Sequence, residues 1–122
     1  MDCEVYCAEI NMNALFDMRL PEATYVPLPK YPTVSRDLAI VCDEKTTVAD
    51  VENVICAAAG KLLRSTRLFD IYRGTGIAEG KKSLAFALEL RADDRTLTDE
   101  DSEQVVGRIL KALEQQLGAV LR

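Results

Sequence analysis

The sequence predicts an α+β domain in the order β-α-β-β-α-β. Two threonine-capped helical segments each end at a glycine, and a glycine-rich loop joins two segments of alternating apolar residues. These five signals, two caps, two stops and one hairpin, agree on a single arrangement.

The first strand is "RDLAIVCD", residues 36–43, with Leu38, Ile40 and Cys42 facing one way and Ala39 and Val41 the other. Thr47 then caps a helix, and Asp50, three residues on, reaches back as in a capping box. Val48, Val51, Val54, Ile55, Ala58 and Leu62 follow helical spacing, and Gly60 ends the helix. Residues 63–72 form the second strand, with Phe69 and Ile71 toward the core and Leu68, Asp70 and Tyr72 away from it. The loop "RGTGIAEGKK" leads into the third strand, "SLAFALELR", with Leu84, Phe86, Leu88 and Leu90 inward and Ser83, Ala85, Ala87 and Glu89 outward.

Thr98 caps the second helix, and Asp99, Glu100 and Asp101 suit its positive N-terminal end. Val105, Val106, Ile109, Leu110, Leu113 and Leu117 make its buried stripe, Gly118 ends it, and "AVLR" closes as a short strand. Two right-handed crossovers joined by a hairpin give a ferredoxin-like sandwich: a four-stranded antiparallel sheet with both helices on one face.

Ahead of this unit, residues 1–29 read as something else. Residues 4–10 alternate as a strand would, and Asn13 is placed to cap a short helix holding Leu15, Phe16 and Met18. "LPEATYVPLPKYPTV" follows with four prolines and reads as an extended linker. The division is thus 1–29, tail of a preceding module and linker, and 30–122, the folded domain.

With 122 residues, 48% hydrophobic and 29% charged, the chain has the composition of one globular domain with a modest core. It holds no apolar run long enough to span a membrane and no secretory signal. The cysteines read as reduced thiols of a cytoplasmic protein, Cys42 and Cys56 as small buried hydrophobes. Cys3 and Cys7 are spaced to pair or share a metal, but with no histidine in the chain a metal site is not expected. Net charge is −5, which argues mildly against nucleic acid, DNA included, as a partner, yet the charge is uneven. Residues 61–91 hold seven bases against three acids, so the hairpin is the basic part of an acidic chain.

The face away from the helices carries Ala39, Val41, Leu68, Asp70, Tyr72, Ser83, Ala85 and Ala87. Small side chains let a flat ligand approach the backbone. Tyr72 offers a stacking surface, Asp70 accepts hydrogen bonds from a guanine edge, and Ser83 donates or accepts. Arg36, Arg73, Lys81 and Lys82 lie near the strand ends, where phosphates would be met. The residues alone leave three readings open: unpaired bases, a covering protein layer, or a wet surface. One alternative function is therefore a protein-interaction or small-molecule regulatory domain of the same fold.

Enzyme signals are absent. There is no histidine base, no Gly-Lys-Ser/Thr phosphate loop and no nucleophile motif, and the glycines of "RGTGIAEG" open no helix. "CDEKTTV" lacks the cysteine pair of metal-carrier domains. Ser83 and Ala85 stand where RNA-recognition motifs carry third-strand aromatics.

"KYPTVSRDLAIVCDE", "LFDIYRGTGIAEGKKSLAFALELRADDRTLTDED" and "LGAVLR" together resemble the C-terminal ferredoxin-fold anticodon-binding domain of the bacterial phenylalanyl-tRNA synthetase β chain. The resemblance covers about residues 30–122, and "VYCAEINMNALF" is similar to the end of the preceding module of that chain. It implies binding to the anticodon stem-loop of phenylalanine tRNA. Asp70 and Tyr72 would read and stack on the first anticodon base, with Ser83 and Ala39 as their neighbours. It further implies an (αβ)₂ ligase in which the α chain handles ATP, Mg²⁺ and phenylalanine, with no catalytic or metal-binding residue in this chain. The acidic balance implies weak binding by the chain alone.

Overall fold

A computed structural model describes residues 3–18 and 23–122. A short helix, α1 (Met12–Asp17), precedes β1 (Val34–Asp43), α2 (Val48–Ala59), β2 (Leu63–Tyr72), β3 (Lys81–Leu90), α3 (Asp99–Leu117) and β4 (Val120–Leu121). The sheet runs β2-β3-β1-β4, with every pairing antiparallel. The ferredoxin-like α+β fold is therefore present, with β3 and β1 at its centre.

Local chemistry explains the boundaries. Thr47 accepts from the Asp50 amide while Asp50 receives the Thr47 amide, and Thr98 and Asp101 repeat the arrangement at α3. Each box satisfies two amides that a helix start leaves without partners. Gly118 closes α3 at φ +61°, a left-handed conformation that costs glycine little.

One face of the sheet meets both helices. Leu38 and Ile40 of β1 and Leu84, Phe86 and Leu88 of β3 pack with Val51 and Ile55 of α2 and Val105, Ile109 and Leu113 of α3, all fully buried. Burying one such side chain contributes about 1.5–3 kcal/mol, so this layer is the main source of stability.

Several sequence expectations are corrected. Residues 3–11 form no strand, and α1 is capped by Asn11, whose side chain accepts from the amides of Asn13 and Ala14. Residues 3–18 and 23–30 are exposed throughout, and residues 20–22 of the proline-rich stretch lie outside the described residues. Cys56 is exposed, whereas Cys42 is buried; Cys3 and Cys7 are exposed free thiols.

The largest correction lies in β2. Its register against β3 slips between Leu68 and Asp70, leaving Phe69 as an extra residue. Leu68 opposes Phe86 and packs against the core, so it does not face away. Phe69 is 52% exposed rather than inward. Past the bulge the phase returns, with Asp70 and Tyr72 opposing Ala85 and Ser83 on the other face, but Ile71, opposite Leu84, is 42% exposed rather than part of the core.

Candidate nucleic-acid interface

The sheet face opposite the helices is built in rows across the strands. One row is Asp70, Ala85 and Ala39; the next is Tyr72, Ser83, Val41 and Val120. Ala39, Asp70, Tyr72 and Ser83 thus come from three strands onto one surface, in two adjacent rows. Asp70 is exposed, Ala39 and Tyr72 are half-buried, and Ser83 is only 2% exposed.

Tyr72 is held from two sides. Its hydroxyl donates to the Thr75 carbonyl at 3.3 Å, and Gly74 passes close beside its ring. The turn after β2 therefore orients the aromatic surface.

The four cations singled out in the sequence are placed differently. Arg73 makes a bidentate ion pair with Glu44, with contacts of 2.6 to 3.1 Å. The hydrogen bond from Arg73 holds the Glu44 carboxyl below its ordinary range. Lys81 lies opposite Asp43 and pairs with it at 3.3 Å. Both cations stand at the loop end of the open face and are already partly neutralised.

Arg36 and Lys82 do not border that face. Arg36 opposes Leu88 on the helix side and pairs with Asp99 at the start of α3. Lys82 opposes Cys42 on the same side, is 8% exposed, and donates to the Glu44 carbonyl at 2.9 Å. Alternation accounts for both positions: Arg36 shares the phase of Leu38, and Lys82 that of Leu84.

Two cations went unmarked in the sequence. Arg67 opposes Ala87 on the open face and is exposed. Arg122 sits beyond β4 with its guanidinium carbon 5.0 Å from the Tyr72 ring centroid. Neither has an ion-pair partner among the described residues. The phase of β2 below its bulge would have found Arg67 only if the bulge were known. Finding Arg122 requires the β4 register.

The family model for the ferredoxin-fold anticodon binding domain matches residues 29–122. The chain belongs to that family. Among curated relatives, the phenylalanine–tRNA ligase β subunit of Bacillus licheniformis is 44% identical over 119 residues, 98% of this chain and 15% of the relative. The β subunit of Symbiobacterium thermophilum is 48% identical over 118 residues, 97% of this chain and 13% of the relative. That of Clostridium tetani is 43% identical over 122 residues, all of this chain and 15% of the relative. The chain thus spans about one seventh of the length of these relatives.

Among the described residues no group of three or more His, Cys, Asp or Glu is placed to hold a metal, and no helix is long and apolar enough to cross a membrane.

Proposed function

We propose that this chain is the tRNA-binding portion of a phenylalanine–tRNA ligase β subunit and that it reads the anticodon stem-loop on the open face of its sheet. The observation that carries this is the gathering of Ala39, Asp70, Tyr72 and Ser83 into two adjacent rows that no helix covers. The first anticodon base stacks on Tyr72. Asp70, without a cationic partner among the described residues, accepts from the donor edge of a guanine, and the alanines keep the base close to the sheet. Arg73 and Lys81 stand near enough to the loop end to meet phosphate, exchanging their carboxylate partners for it. Arg36 and Lys82 have no part in the contact, because they project to the helix side.

Residues 1–29 belong in this reading to a neighbouring module of the parent subunit, and their exposed apolar side chains pack there. Ligation, with its ATP and Mg²⁺, belongs to the α chain of an (αβ)₂ assembly in the cytoplasm. This domain supplies recognition only.

The test is Tyr72→Ala. Loss of a base–aromatic stack should weaken stem-loop binding by about 1–3 kcal/mol with the fold unchanged. Unchanged RNA binding together with altered self-association, measured by sedimentation, would instead mark the face as a protein-pairing surface.

A further inference from the structure

Arg122 reaches the open face by a specific route. Its backbone N–H donates to the Ala39 carbonyl at 3.0 Å, which seats residue 122 beside the row of Ala39, Ala85 and Asp70. Yet its guanidinium meets Tyr72, which lies on β2 at the opposite edge of the sheet. Strands spaced about 4.8 Å apart put β4 and β2 roughly 14 Å from each other. Two extended side chains span that distance only where the intervening residues are small. Here Ala39, Ala85 and Ser83, with Val41 beside them, lie between the two side chains.

A second observation bears on the same place. Ser83 is 2% exposed, although no layer of the protein lies over its face. Its neighbours in that row are Tyr72 and Val41, and the Arg122 arm is directed at Tyr72.

We propose that Arg122 is the second wall of the base site. The base enters between the Tyr72 ring and the Arg122 guanidinium; the arm swings outward and closes on the other face of the base. This rests on the reading of Tyr72 as the stacking surface. A guanidinium suits the role because it is planar, weakly hydrated and stacks on aromatic faces. Its contact with Tyr72 is exposed, so a stacked base can replace it at small cost. Having no carboxylate partner among the described residues, Arg122 gives up no ion pair when it moves.

The experiment compares the parent chain, Arg122→Ala, Arg122→Lys and Tyr72→Ala in titrations with a phenylalanine anticodon stem-loop. Thermal unfolding serves as the fold control, since the bond to Ala39 uses only backbone. Arg122→Ala is expected to weaken binding about tenfold, the size of one lost base stack. Arg122→Lys should recover only part of the loss, because it restores charge without the planar wall. Arg122→Ala binding as tightly as the parent, or more tightly, would overturn the wall, and so would full recovery by lysine. Those results with Tyr72→Ala still impaired leave the anticodon reading standing. A parent chain that does not bind, or a Tyr72→Ala variant that binds like the parent, overturns that reading and the wall with it.

Discussion

A Cβ atom placed on Gly74 would lie 3.1 Å from the Tyr72 hydroxyl oxygen and 3.3 Å from its ring carbon Cζ. Gly74 also has φ +152°, a conformation that side chains rarely adopt. The backbone after β2 therefore passes the tyrosine so closely that a Cβ would force its ring to give by a few tenths of an ångström. Gly74→Ala should turn the ring and break its hydrogen bond to the Thr75 carbonyl. The expected cost in stability is about 1 kcal/mol. The expected loss in stem-loop binding is severalfold, larger than stability alone explains. A titration beside the near-ultraviolet circular dichroism of the tyrosines would show both effects.

Asp70 should govern selectivity more than affinity. It faces solvent on the open face without an ion-pair partner among the described residues. Asp70→Ala removes an acceptor for the guanine edge, so the preference for guanine at the first anticodon position should fall by about tenfold, the worth of one hydrogen bond to a charged group. Parallel titrations of two stem-loops differing at that base measure the ratio. An equal loss for both loops would deny Asp70 the reading role.

The start of α3 sets part of the acid limit. The Thr98 backbone N–H, donating to Asp101, is the main cause that holds this carboxyl below its ordinary range; the Thr98 side chain and Arg95 add to it. A carboxyl with a lowered folded pKa contributes stability above its unfolded pKa and loses it as pH falls through the folded value. Stability should therefore be level near neutral pH and decline below about pH 4, where unfolded aspartates protonate. Glu44 and Asp93, lowered by Arg73 and Arg64, act in the same direction. Thr98→Ala should cost about 1 kcal/mol at neutral pH and make the acid decline shallower. Urea unfolding across a pH series reads both.

The thiols should separate by accessibility. Cys3, Cys7 and Cys56 are exposed, whereas Cys42 is buried and desolvation raises its pKa. Three cysteines should alkylate rapidly in the native chain, and Cys42 only on unfolding. Mass spectrometry of a timed labelling reaction distinguishes them.

Much of this was legible in the residues. Both threonine caps, both glycine stops and the 63–72 strand stand where the sequence placed them, because caps and turns are local chemistry. Asp70, Tyr72, Ser83 and Ala39 share a face as alternation required. Leu68 was misplaced because a bulge adds a residue without any local mark. Arg36 and Lys82 were readable from the phase of their own strands, but proximity to strand ends was weighed above alternation. Arg122 was beyond reach: its role depends on the β4–β1 register and on three small residues distant in sequence. The strand expected at 4–10 failed because alternation alone cannot hold a strand that has no partner to pair with.

The most direct measurement is a salt-series titration of this chain with two phenylalanine anticodon stem-loops, one with guanine and one with adenine at the first anticodon position. Binding should weaken as salt rises and should favour the guanine loop at every salt concentration. Equal affinity for the two loops, or no binding to either at low salt, would contradict base reading by Asp70 and Tyr72 on the open face.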